Sequence, residues 1–295
     1  MINHILDLSD SPAHVSVWNG LLRLEKKDEP DITLPFEEVA VVVGTHRQLT
    51  FTQAFFSRLA EHGGVFIACD NKSKPMAMMT PIEGHHLQTE QIALQAAASM
   101  PVKKRVWQSI IKAKIRAQAR ALQNLHGEDH GLGKMAERVR SGDPDNLEGQ
   151  AARRYWTRLF ADEPKFQRDR DAHGRNALLN FGYAVLRAVT ARAVCAAGLH
   201  PSLGVHHHNR YNAYVLADDL MEPFRPIVDL AVAENTKANE DLDLNRENKR
   251  ILYEALYTPL TFQGEQRSLF DVHTRICASL VKVFRGERKN ILMPE

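Results

Sequence analysis

Three segments of the chain place metal-ligating side chains in defined local contexts. Glu148 lies in Asp145-Asn146-Leu147-Glu148-Gly149, where the turn and N-cap chemistry of Asp143–Asn146 predicts the first turn of a helix over 147–160. His206, His207 and His208 follow a stretch punctuated by Gly198, Pro201 and Gly204, which predicts a loop. Asp219 and Glu222 are three residues apart and share a face if that segment is helical. Pro223 removes a backbone donor there and kinks or delimits the helix. Singly, each segment has a bland reading: a glutamate complementing a helix dipole, a solvated loop histidine, an acidic turn. Jointly, two carboxylates and an imidazole make a hard, oxygen-dominated donor set without a thiol, which suits Mg2+ or Mn2+ better than structural zinc. Such an ion supports phosphodiester chemistry by polarising a phosphoryl oxygen and stabilising the leaving oxygen. The chain carries no Walker loop, no GxGxxG after a strand, no GxSxG and no HExxH, so the usual signatures of nucleotide hydrolases, dehydrogenases and serine or zinc hydrolases are missing.

A polyanionic substrate also fits the charge distribution. Between positions 103 and 120 there are seven basic residues and no acidic one: Lys103, Lys104, Arg105, Lys112, Lys114, Arg116 and Arg120. They are candidates for binding a nucleic-acid backbone, with a solvated helix face as the alternative. Arg153, Arg154 and Arg158 form a second cluster beside Glu148.

The elements that must position these residues divide the chain in two. In the first 80 residues the period-2 run Ala13–Val17, the Asn19-Gly20 turn and Leu21–Glu25 predict a hairpin. Val39–Val43 predicts a buried strand, and Val65–Ala68 and Pro75–Met79 two more. A helix is expected from Thr50, as N-cap, to Glu61, with Gly63-Gly64 as its stop. Beyond Thr80-Pro81 helical patterns dominate: 88–98, 107–125, 147–160, 177–197, 221–235, 246–257 and 267–285, with the glycines at 127, 131 and 133 as breakers and a loose tail from Lys289 to Glu295. The whole has 295 residues, 44% hydrophobic and 25% charged, with a formal charge of +2. That is the composition of a globular chain of one or two domains, and it excludes disordered, collagenous and disulfide-built classes. No uninterrupted apolar run reaches the length of a membrane span, and the N-terminus lacks the features of a secretory signal. Cys69, Cys195 and Cys277 form no CxxC pair and read as thiols of a reducing, cytoplasmic compartment.

Four ordered blocks carry a resemblance: Asn146-Leu-Glu-Gly149 with Tyr155-Trp156, Arg175-Asn-Ala-Leu-Leu-Asn-Phe-Gly-Tyr-Ala-Val-Leu186, Gly198-Leu-His-Pro-Ser-Leu-Gly-Val-His-His207, and Asp219-Leu-Met-Glu-Pro-Phe-Arg-Pro226. Together they closely resemble the CRISPR-associated adaptation integrase family, the first Cas protein, and the 209–225 run looks most like its type II branch. The resemblance implies an α+β fold, with a β-rich dimerisation domain at 1–80 and an all-α catalytic domain at 81–295. It implies a metal-dependent endonuclease and integrase that joins the 3′-hydroxyl ends of a short DNA duplex to CRISPR repeat borders. Carried over by motif, Glu148, His207 and Glu222 would hold Mg2+ or Mn2+, with Asp219 nearby. His206 or His208 would substitute for His207 if the loop shifts. The implied partners are DNA, a second copy of the chain, the small second Cas protein and, further, the RNA-guided effector nuclease; no membrane is implied. The Val39–Val43 run is the expected dimer surface. Two rival readings share the site: a general metal-dependent nuclease on branched DNA or RNA, and a non-catalytic DNA-binding scaffold.

Overall fold

A computed structural model describes residues 3–70, 72–163, 165–169, 172–207, 209–238 and 241–295. Its N-terminal region holds two four-stranded sheets. In the first, β1 (His4–Leu8), β5 (Val39–Gly44) and β7 (Val65–Cys69) run parallel, and β8 (Pro75–Met79) closes one edge antiparallel. In the second, β4 (Ile32–Leu34), β3 (Leu21–Glu25) and β2 (Ala13–Trp18) form an antiparallel meander, and β6 (Leu49–Phe51) joins β2 in parallel. The Asn19-Gly20 turn works as its residue types require, with both φ angles positive, 49° and 81°. Helix α1 (Gln53–Glu61) is capped by Thr52, whose side chain accepts from the Phe55 amide. Thr50, the expected cap, is instead spent in the β6 ladder. Strands β1, β4 and β6 were not anticipated, since runs of three to five residues carry little periodicity and gain their partners from distant chain.

Helices follow: α2 (Gln88–Ala97), α3 (Met100–His126), α4 (Leu132–Glu137), α5 (Leu147–Leu159), α6 (Arg175–Ala196), α7 (Val215–Met221), α8 (Arg225–Ala238), α9 (Arg246–Tyr257) and α10 (Leu269–Phe284). A two-stranded hairpin, β9 (Leu260–Phe262) and β10 (Glu265–Arg267), interrupts the helical region before α10 and takes the residue expected to open that helix. The single helix expected over 221–235 is in fact the end of α7, a 3-10 turn over Glu222–Phe224, and α8. Pro223 accounts for the break, because it offers no amide to an α-helical ladder. The C-terminal tail is not loose: Ile291 is buried and the Leu292 amide donates to Ser279 Oγ.

Two cores meet at β5. Val39 and Val42 join Leu8, Val15, Leu22, Phe36, Phe55 and Phe66 between the two sheets and α1. Ala40, Val41 and Val43 join the larger core built on α3, α5, α6, α8 and α10. All of β5 is buried within one chain, so the Val39–Val43 run is not a dimer surface. Its apolar character serves the junction between the sheets and the helices. The central helix, α6, is long and apolar enough to cross a bilayer by length and composition, but 78% of its apolar window is buried against the rest of the fold.

Candidate active site

Glu148 occupies the first turn of α5, and the surrounding side chains explain why the turn begins there. Asn146 adopts a left-handed backbone (φ 49°) and its side chain accepts from the Gly149 amide. Asp143 accepts from the Leu147 and Glu148 amides, both at 2.9 Å. Four orphan amides open any helix, and two carbonyl-bearing side chains cover three of them here. Gly149 is demanded by closeness: a Cβ would lie 2.7 Å from Asn146 Oδ1.

Glu222 arrives from the 3-10 turn after α7 and is 5% exposed. Its Oε1 accepts from Arg225 at 2.7 Å, and its Oε2 lies 2.7 Å from Lys114 Nζ. The same ammonium donates to Glu148 Oε1 at 2.7 Å. Burial would raise the Glu222 pKa, but Arg225 and Lys114 outweigh it and lower it to about 2. For Lys114 burial works against the charge, yet Glu222 and Glu148 prevail and raise its pKa.

The histidines are arranged by Asp219 on α7, which is fully buried. Its Oδ2 accepts from the Val205 and His206 amides at 2.8 and 3.0 Å, and its Oδ1 lies 2.6 Å from His207 Nδ1. Gly204 lets the loop close on this carboxylate, since a Cβ there would meet Val215 Cγ1 at 2.4 Å and Asp219 Oδ2 at 3.0 Å. A proton on His207 Nδ1, shared with Asp219, leaves the Nε2 lone pair for a ligand. The hydrogen bond to Asp219 raises the His207 pKa against the opposing effect of burial, and the charges of Asp219, Glu222 and Glu148 add to it. His206 is turned aside: its ring stacks on the buried Trp107 indole, centroids 4.1 Å apart and planes 4° apart. His208 lies outside the described residues. Asp218, the neighbouring acid, is occupied by Arg187 and Asn212.

Two carboxylates and an imidazole nitrogen form a hard donor set that fits Mg2+ or Mn2+. As arranged, the carboxylates close on Lys114, and among the described residues no three His, Cys, Asp or Glu side chains converge on one ion position.

Lys114 therefore leaves the group of backbone-binding candidates, because its ammonium is spent on Glu148 and Glu222. The reason is helical geometry: at about 100° per residue, Lys103 and Lys114 fall on one side of α3. Arg105, Lys112, Arg116 and Arg120, spaced seven, four and four apart, share another side. Arg116 pairs with Glu137 at 2.7 Å. Lys104 is exposed, and so are Arg153 and Arg154, the latter donating to the His130 carbonyl. Two groups of the site lie outside the three metal-ligating segments of the sequence. Lys114 is 34 residues from Glu148 and met it only through folding. Arg225 sat unassigned three residues after Glu222, a spacing that would have suggested the pair. Behind them Arg225 lies over the Tyr183 ring, and Tyr183 and Tyr155 donate to buried Asp229, whose pKa burial raises to about 6.

A family model described as CRISPR associated protein Cas1 matches residues 7–254. The CRISPR-associated endonuclease Cas1 of Neisseria meningitidis serogroup C (strain 8013) is 40% identical over 203 residues, covering 68% of this chain and 66% of that protein. The chain thus spans just under two thirds of the length of that relative. Among solved structures, a casposase bound to integration product superimposes with a TM-score of 0.77 at 20% identity, covering 99% of this chain and 92% of the other. A Cas6-RT-Cas1–Cas2 complex chain superimposes with a TM-score of 0.75 at 19% identity, covering 97% of this chain and 35% of that one. These structural likenesses extend the agreement in fold over nearly the full length.

Proposed function

The chain belongs to the Cas1 family of CRISPR-associated proteins, and from that premise we propose that it is the strand-transfer enzyme of CRISPR adaptation. Its substrates would be a short DNA duplex and a CRISPR repeat, and its partners a second copy of itself and the small second Cas protein. The effector nuclease of the same system is a further candidate. One observation carries the reading: Glu148 and Glu222, from helices far apart in sequence, meet on a single cation while Asp219 holds His207 beside them.

Each joining step is a transesterification in which a 3′-oxygen attacks a phosphate in line and displaces another 3′-oxygen, so no covalent enzyme intermediate and no serine or tyrosine nucleophile is needed. Bound Mg2+ or Mn2+ would supply Lewis-acid stabilisation of the phosphoryl oxygens. Glu148, Glu222 and His207 Nε2 would hold it. Asp219 keeps the imidazole in the tautomer that presents Nε2, and Arg225 holds Glu222 by its other oxygen. The basic side of α3, with Lys104, Arg153 and Arg154, would take the DNA backbone. Two ends to be joined need two such sites, and one chain has one set, hence the dimer.

The test is incubation of the protein with its small partner, a short duplex and a repeat-bearing plasmid, with and without Mg2+. Strand-joined product that depends on Mg2+ and disappears in Glu148→Ala is expected. Only shortened strands would indicate a plain nuclease, and joining without divalent ion would leave the carboxylates structural.

A further inference from the structure

A second polar cleft, of about 750 Å3, opens where the parallel strands of the first sheet end. It shares no lining residue with the cavity beside Lys114 and Glu222. Strands β1, β5 and β7 point the same way, so Ser9-Asp10, Thr45–Arg47 and the β7–β8 turn with Ser73 all lie at one end of the sheet. The first turn of α9 closes the opposite wall through Arg246 and Lys249. Crevices beyond the carboxyl ends of parallel strands are where open α/β sheets take ligands.

Lys249 gives this crevice its chemistry. It is 3% exposed, and its Nζ donates to a neutral partner, Ser73 Oγ, at 3.1 Å, with the Phe181 ring 5.2 Å away. No described carboxylate forms an ion pair with it within 4.0 Å. Asp7 is the acid that feels its charge, and burial pushes that carboxyl up. A buried ammonium is costly unless an anion compensates it. At the rim, Arg246 Nε lies 3.2 Å from Asp10, the one acid among the described lining residues, so Arg47 and Lys249 are lining cations without a described carboxylate within 4.0 Å.

We propose that this cleft binds a phosphate monoester, with Lys249 and Ser73 at its floor and Arg47 at its mouth. A buried ammonium, an exposed guanidinium and a hydroxyl are charge-assisted donors suited to a terminal phosphate dianion. The volume is that of a small-molecule site and admits a nucleotide or the end of a strand, but not a continuing duplex. Two sources share this chemistry: a free nucleotide and the 5′-phosphate of a DNA end.

The experiment uses the full chain without divalent ions, and reads melting temperature and calorimetric binding. The probes are inorganic phosphate, a nucleoside 5′-monophosphate, the parent nucleoside, and a short single strand with a 5′-phosphate or a 5′-hydroxyl. A saturable rise in melting temperature is expected with the monophosphate and not with the nucleoside. Lys249→Met should lower that affinity roughly tenfold or more, while Lys27→Met, at an exposed position outside the cleft, retains it. If Lys249→Met does not fold, Arg47→Ala carries the same expectation at the rim. Preference for the 5′-phosphorylated strand over its hydroxyl form assigns the site to DNA ends; a response to the mononucleotide alone assigns it to free nucleotides. No response to any phosphorylated probe overturns the proposal. So does a response that survives both Arg47→Ala and every folded Lys249 variant.

Discussion

An ammonium held 2.7 Å from each of two carboxylates offsets one of their two negative charges, and in doing so competes with any divalent ion for them. Lys114→Met should therefore have two opposite effects. Without metal, Glu148 and Glu222 are left facing each other, and stability should fall by roughly 3 kcal/mol, the cost of breaking a buried pair. With the competitor gone, Mn2+ should bind about tenfold more tightly, a gain of about 1.4 kcal/mol, and restore the lost melting temperature. Calorimetric titration and melting curves with and without Mn2+ check this; unchanged Mn2+ affinity would remove Lys114 from the site. His207 sets the pH dependence. Its Nε2 offers a lone pair only in the neutral ring, and Asp219 raises its pKa above 6.5. Stabilisation from the protonated His207–Asp219 pair is full below pH 6.5 and is lost as pH rises through the raised folded value. Strand joining should run the other way, with its acid limb above pH 6.5. Asp219→Asn should move that limb down, as should the ring's titration by NMR; a limb unmoved by the substitution would separate His207 from the reaction.

The basic helix α3 has two functional sides, and only a helical projection tells them apart. Lys114 points into the carboxylates, whereas Arg105, Lys112, Arg116 and Arg120 form one stripe. Replacing Lys112, Arg116 and Arg120 with Ala should weaken binding to unrelated duplexes alike. It should flatten the log–log salt dependence by about 0.9 for each phosphate that the variant no longer neutralises. Filter binding across a salt series reads this directly, and an unchanged slope would make the stripe a solvated face. Glu148 needed less. The caps Asp143 and Asn146 and the forced Gly149 sit beside Glu148 in the sequence, so its position at a helix start was legible there. The break at Glu222 was only half legible, because Pro223 warns of an interruption without saying whether the chain turns or continues. Packing of α7 and α8 against α3 decides that it turns, and so brings Glu222 inward.

At the scale of the molecule, β5 is the hinge of the architecture, with side chains feeding the core between the sheets and the core of the helices. Val41→Asp should bury a carboxylate with no partner and cost more than about 3 kcal/mol. Light scattering and circular dichroism together should show loss of folded protein, not a folded monomer released from a dimer. A well-folded monomeric Val41→Asp would return this strand to the role of a subunit interface. The sequence by itself determined the α+β order, the hairpin at Asn19-Gly20, the capped start of α5, and the residue types capable of metal and phosphodiester chemistry. Each of these rests on neighbours within a few positions, where propensity, periodicity and capping act. What only the tertiary structure decided is which side chains meet. Lys114 joins Glu148 and Glu222, Asp219 selects the His207 ring while Trp107 takes that of His206, and three parallel strand ends converge on Lys249. These contacts join residues tens to hundreds of positions apart, and no local pattern encodes them, because the free energy that forms them is the burial of helices and sheets against one another.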